Sequence, residues 1–232
     1  MIKDDLFVLC GGKATRLYPI TKTIPKSLVP VNGTPFAIHQ LELFLKQGFT
    51  SFVYCIGLHG EQIVDLLGDG AHWGARIRYS DDGEKLLGTY KSLQAAVKAM
   101  EMSDDATVPV VYGDSYLDME PGLVIEDHHA SGLNSTMTFT KQAYELETPN
   151  VFIKGNRLHY DKLNLRQQTA PFIDYGFSIF KAGIFDENFA DLSDCQNILS
   201  SRNQLNFHYV DSYYFEVGTL QGVDFLQKYL AK

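Results

Sequence analysis

Residues 9–35 read LCGGKATRLYPITKTIPKSLVPVNGTP, and the rest of the chain is read outward from them. An apolar run at 6–10 precedes this stretch and an apolar-periodic segment follows it, the order strand, loop, helix. Gly11 and Gly12 remove side chains where the chain leaves the strand, so backbone N–H groups there can approach a ligand closely. Arg16 and Lys26 add fixed positive charge to the loop, and arginine grips phosphate through two parallel hydrogen bonds. Pro19, Pro25, Pro30 and Pro35 stiffen the segment by fixing φ and restricting the residue before each of them. A glycine turn, two cations and a proline-braced loop after the first strand suggest a polyphosphate cradle.

Downstream, Ile38, Leu41, Phe44 and Leu45 fall on one face of a helix over 35–47, which Gly48 stops. Short apolar runs at 52–56 and 108–112 predict buried strands, and residues 75–79 alternate as another. Helices are expected over 61–67, ended by Gly68, and over 90–100, where Leu93, Ala96, Val97 and Met100 repeat at helical spacing. Strands alternating with helices predict an α/β fold with a doubly wound, mostly parallel sheet of Rossmann-like type. Ligands of such sheets bind beyond the carboxyl ends of the strands, where Gly11, Gly57, Ser80 and Gly113-Asp114 all lie. The second half is richer in strands: 135–141, a hairpin at 151–160 turning at Gly155-Asn156, 173–180 and 207–217. A helix is expected near 193–205. Thr219 caps a final one carrying Leu220, Val223, Leu226 and Leu230. No Ser/Gly-rich linker divides the chain, so residues 1–232 read as one domain with two lobes.

The composition narrows the function. At 232 residues, 45% hydrophobic and 21% charged, the chain is long enough for a full core and has the balance of a soluble globular protein. A formal charge of −8 excludes the broad basic field that a nucleic-acid partner requires. Cys10, Cys55 and Cys195 are widely spaced and two sit in apolar runs, which predicts buried free thiols and a reducing compartment. The opening MIKDDLFVLCGG carries acidic residues where a signal peptide would be apolar, and no apolar run approaches membrane-spanning length. A cytoplasmic protein without a membrane partner is the expectation. There is no P-loop, no G-x-G-x-x-G and no G-x-S-x-G elbow. His128 and His129 lack a further metal ligand at helical spacing.

Gly-Gly-x-x-Thr-Arg-Leu from Gly11, then Pro-x-Thr, then Pro-Lys-x-Leu-Val-Pro-Val, resembles the signature of the sugar-phosphate nucleotidyltransferases. Among members of this length, heptose-1-phosphate guanylyltransferases and MurNAc-phosphate uridylyltransferases look most similar. The usual third glycine is Ala14 here. The resemblance implies a reaction in which an NTP and a sugar 1-phosphate give a nucleotide-sugar and pyrophosphate. It implies residues 1–120 as the nucleotide-binding half and 121–232 as an added, β-rich acceptor-binding lobe. No hexapeptide repeats appear, so the acyltransferase β-helix of some bifunctional relatives is not expected.

The resemblance also assigns residues. Leu9, Gly11, Gly12 and Thr15 would contact the nucleotide, and Arg16 and Lys26 its phosphates. Asp114, ending an apolar strand, would hold Mg²⁺, a cation that prefers hard oxygen ligands. Tyr214–Thr219 resembles the late Asp-x-Gly-Thr segment, with Glu216 replacing the aspartate that completes the Mg²⁺ site. Leu86-Leu87-Gly88-Thr89 resembles the Leu-Gly-Thr segment beside the nucleobase, which places Gly88 and Thr89 on the nucleotide. Thr89 also reads as an N-cap, and Tyr90-Lys91 replaces the small residues of many relatives. Lys162 after the hairpin would hold the acceptor phosphate, and Asp174-Tyr175-Gly176 would line the sugar site. Two other readings stay open: a cytidylyltransferase acting on phosphocholine or another small phosphate, and an inactive nucleotide-binding regulator. The nucleobase, the acceptor, and monomer against homodimer are not fixed by the sequence.

Overall fold

Period-2 alternation in the first strands decides which face of the sheet each helix covers. A computed structural model of the chain describes residues 1–12, 15–83, 86–142, 148–161 and 170–231. The first half comprises β1 (Leu6–Leu9), the short ribbon β2 (Pro30–Val31) and β3 (Thr34–Pro35), α1 (Phe36–Lys46), β4 (Ser51–Ile56) and α2 (Glu61–Leu67). It continues with β5 (Arg76–Asp81), α3 (Thr89–Ala99), β6 (Thr107–Tyr112) and β7 (Ser115–Leu117). The second half comprises α4 (Pro121–Ser131), β8 (Ser135–Thr140), the hairpin β9 (Val151–Lys154) and β10 (Arg157–Tyr160), and β11 (Ile173–Lys181). It closes with α5 (Leu192–Ser201), β12 (Leu205–Tyr209), β13 (Tyr214–Glu216) and α6 (Leu220–Leu230).

Seven strands form one sheet in the order β12-β8-β11-β6-β1-β4-β5. β1 runs parallel to β4 and β6, β4 to β5, and β12 to β8, while β11 is antiparallel to β6 and β8. Leu6, Val8, Phe52 and Tyr54 pack with α1, α2 and α4 on one face; Phe7, Val53 and Cys55 pack with α3 and α5 on the other. Burial on both faces explains why these strands read as continuous apolar runs. A third cluster joins Leu17, Val29 and Val31 of the first loop to Val217 of the β13–α6 turn and Val223 and Leu226 of α6. The end of the chain thus braces its beginning. Thr219 caps α6 as expected, its side chain accepting from the Gly222 amide at 3.0 Å.

Two expectations change. Residues 207–217 are two strands in different sheets, because the chain leaves the β8 edge after Tyr209 and turns to pair β13 with β7. The helix near 193–205 ends at Ser201, and β12 has begun by Leu205. α4 was not anticipated at all.

Candidate active site

The carboxyl ends of β1, β4 and β6 meet at the middle of the sheet, where the connection leaving β1 runs to β4 on one side and the one leaving β6 runs through β7 and α4 to β8 on the other. Cys10 N donates to Cys55 O at 2.8 Å and Gly113 N to Leu9 O at 2.9 Å, drawing the three loops together. Gly113 has no room for a side chain, since a Cβ would lie 3.0 Å from the Leu9 carbonyl oxygen and overlap the Cys10 sulfur. A cavity of about 380 Å³ opens between these loops. Leu9, Gly11, Gly12, Thr15, Arg16, Lys26, Gly88, Thr89 and Asp114 all line it. Ala14 and Lys162 lie outside the described residues.

Lys26 and Asp114, 17% and 21% exposed, form an ion pair through Nζ and Oδ2. Arg16 Nη1 stands 3.9 Å from Glu216 Oε1, and the arginine is 68% exposed, so it sits at the mouth while Lys26 sits inside. Tyr214 donates its hydroxyl to Glu216 Oε2 at 3.1 Å. Local structure explains why these groups converge. Asp114 follows β6, and Gln40 of α1 donates to the carbonyls on both sides of it, Tyr112 O at 2.9 Å and Ser115 O at 2.7 Å. Val217 N donates to Asp114 O at 2.9 Å, which brings the β13 end beside the same turn. A Cβ on Gly218 would lie 2.8 Å from Lys26 Nζ and overlap the Glu216 carboxylate, so both charged heads close over a bare glycine.

Burial governs titration here. It pushes the Cys10 thiol up to about 12, with Asp114 adding to the rise and a Ser27 hydrogen bond opposing it. A neutral thiol is no nucleophile. Burial, reinforced by Asp174, Asp114 and Asp191, holds the Tyr112 phenol well above its ordinary value, so it remains a neutral donor on the cavity wall. Asp82 is likewise raised by burial first and Asp81 second, against hydrogen bonds from Ser92 and Leu87.

Thr89 is not a cap. Gly88, at φ +82, makes the turn into α3, so helical geometry begins at Thr89, whose hydroxyl accepts from Leu192 N at 3.3 Å. Tyr90 points away from the cavity into the core, donating to Ile184 O at 2.8 Å, so its bulk does not reshape the lining. Asp174 and Gly176 do not line the cavity. Asp174 is 7% exposed and accepts from the Gly176 amide at 2.9 Å, within a bulge of β11. Gly176, at φ +84, lies against the Ser115, Tyr214 and Tyr112 side chains. Sequence reasoning missed Gln40, Ser27, Asp82, Ser92 and Tyr112. Asp82 was within reach, two residues past Ser80, because β5 runs on to Asp81.

Residues 6–156 match the family model described as nucleotidyl transferase. The mannose-1-phosphate guanyltransferase of Debaryomyces hansenii is 32% identical over 154 residues, which are 62% of this chain and 42% of that protein. The UTP–glucose-1-phosphate uridylyltransferase of Synechocystis sp. is 30% identical over 192 residues, 77% of this chain and 49% of that protein. This chain therefore spans less than half the length of either relative. HddC from Yersinia pseudotuberculosis shares the fold, with a TM-score of 0.79 at 20% identity over 98% of this chain and 99% of that one.

Proposed function

This chain belongs to the nucleotidyl transferase family, and on that premise we propose that it joins an NTP to a sugar 1-phosphate, releasing pyrophosphate. One observation carries the reading: Arg16, Lys26 and Asp114 line one cavity at the switch point of the sheet, and Glu216 pairs with Arg16 beside it. The relatives' names support it, since both join a nucleotide to a hexose 1-phosphate. They differ in the base, guanine in one and uracil in the other, so the base is left to experiment.

The chemistry is direct displacement. An oxygen of the acceptor phosphate attacks the α-phosphorus in line with departing pyrophosphate, and an anionic phosphate needs no strong general base. Catalysis then consists of positioning and charge neutralisation. Arg16 and the amides of Gly11, Gly12 and Thr15 hold the β,γ-phosphates and the leaving pyrophosphate. Lys26 bridges the α-phosphate and the acceptor phosphate, two anions that otherwise repel. Lys162 holds the acceptor phosphate. Asp114 and Glu216 fit a divalent cation: both are hard oxygen donors, and the Lys26 ammonium, held by Asp114 and facing Glu216 across Gly218, is a cation at their meeting point. Mg²⁺ bound there would offset charge developing at the α-phosphate. Three unpaired thiols support the reading of a reducing, cytoplasmic setting. Among the described residues no helix is long and apolar enough to cross a membrane.

The test is pyrophosphate release with each common NTP and Mg²⁺ against sugar 1-phosphates and phosphocholine. Turnover with one NTP and one sugar 1-phosphate is expected, and Lys26→Ala and Asp114→Ala should each abolish it while retaining the fold. Turnover only with CTP and phosphocholine would move the acceptor class. Nucleotide binding that neither turns over nor depends on Mg²⁺ would make the protein a regulator.

A further inference from the structure

Lys26 and Asp114 occupy each other. Asp114 Oδ2 carries the Lys26 ammonium, and Oδ1 accepts from the Ser115 hydroxyl at 3.5 Å. The second carboxylate is engaged as well, Glu216 Oε1 facing Arg16 at 3.9 Å and Oε2 accepting from Tyr214. Gly218 abuts both Lys26 Nζ and Glu216, so the ammonium stands where the two carboxylates converge. A divalent cation placed there would meet a positive charge at contact distance, in a partly buried site where repulsion is poorly screened. The two cations exclude one another.

We infer that Lys26 is a latch on the metal site, holding Asp114 until a polyphosphate draws its ammonium away, so that metal and nucleotide bind as a coupled pair. This rests on the transfer reading above. A triphosphate offers Lys26 more negative charge than one carboxylate does, and it offers Arg16 the same exchange for Glu216. The cations pass to the phosphates and the carboxylates to the metal. By linkage, nucleotide raises metal affinity by the factor by which metal raises nucleotide affinity. Because Lys26 is 17% exposed and Arg16 68%, the arginine is free to meet the phosphates first and the lysine is the slower, inner exchange.

Binding of Mn²⁺ alone to the full chain, without nucleotide, tests the latch by electron paramagnetic resonance of the free ion. Lys26→Met keeps the aliphatic stem and removes the charge. It should bind Mn²⁺ at least about tenfold more tightly than wild type, within the usual range of such couplings. The gain should vanish in Lys26→Met with Asp114→Asn, whereas Asp114→Asn alone should change little. Lys22→Met, which removes the same charge from an exposed part of the same loop, should shift affinity by about twofold or less, because exposed charge is screened. Equal affinity of wild type and Lys26→Met, or a gain that survives in the double variant, would overturn the latch. Lys26→Gln replaces Lys26→Met if circular dichroism shows that the latter has not folded. Pyrophosphate release by the same wild-type preparation separates the two ideas. Release with unchanged Mn²⁺ affinity defeats the latch and leaves transfer standing; a gain in affinity with no release across the panel defeats transfer and leaves the competition for Asp114 standing.

Discussion

Gln40 is 1% exposed, and its amide nitrogen spans the carbonyls that flank Gly113-Asp114. Gln40→Leu would strand the Tyr112 and Ser115 carbonyls beside an apolar side chain, at a cost on the order of 3 kcal/mol. Urea unfolding would measure that loss. Because Asp114 rides on the same turn, kcat should fall by about 100-fold, the usual consequence of an ångström's misplacement. Gly218→Ala separates geometry from stability more cleanly. Its methyl would overlap Glu216 and crowd Lys26, so turnover should drop by roughly the same factor while the thermal midpoint barely moves. A Gly218→Ala enzyme of near-wild-type rate would show that Glu216 has no part in the reaction. Residues such as Arg16 and Lys26 were legible because one contiguous stretch carries their spacing. Gln40 was not: nothing local distinguishes an amide on the buried face of a helix from a solvated one, and its task appears only once α1 lies against β6 and β7.

Among the elements, α4 hides for a related reason. Its buried residues, Pro121, Val124, Ile125 and His128, do fall at helical spacing, but a proline and a histidine hold the two ends of that stripe while the apolar Leu123 is 53% exposed, so apolar residues alone do not trace it. The signals that were present are its punctuation, Pro121 in the first turn and Gly132 at φ +65 just past the end. The single strand expected over 207–217 failed differently, since alternation says which residues are buried but not which strand covers them. His128 turns α4 into a prediction. Its ring hydrogen-bonds Thr136 Oγ1 at 2.9 Å, and burial lowers its pKa to about 4, helped by His129 and Lys181 and opposed by Asp127. The unfolded chain protonates this histidine near its ordinary value of 6.5, the folded chain only near 4. Its contribution is therefore complete above about pH 6.5 and is lost as pH falls toward 4. Between pH 7 and pH 5 that loss should approach ~2 kcal/mol. His128→Gln should flatten this part of the profile in urea titrations at the two pH values; an unchanged slope would assign the loss to other groups.

Across the whole molecule, the boundary near residue 120 separates proposed tasks without separating folding units. β11, from the second half, lies between β6 of the first half and β8 of its own, pairing with both. α6 completes the cluster around Leu17, Val29 and Val31, so the loop bearing Arg16 and Lys26 depends on the last helix. A fragment of residues 1–120 would expose the β11-facing edge of β6 and strip that loop of its brace. We propose that the chain unfolds as one cooperative unit and that the fragment stays unfolded. Trp73, the only tryptophan, lies in the first half and packs on a core cluster built from both halves, so its fluorescence reports on those local surroundings, whereas far-UV circular dichroism reports on the whole chain. Coincident urea midpoints from the two probes are expected for a single transition. Separated midpoints, or a folded fragment, would mean that the first half holds its cradle without β11 and α6. In that case the two lobes would be independent domains, and the shared sheet would merely join them.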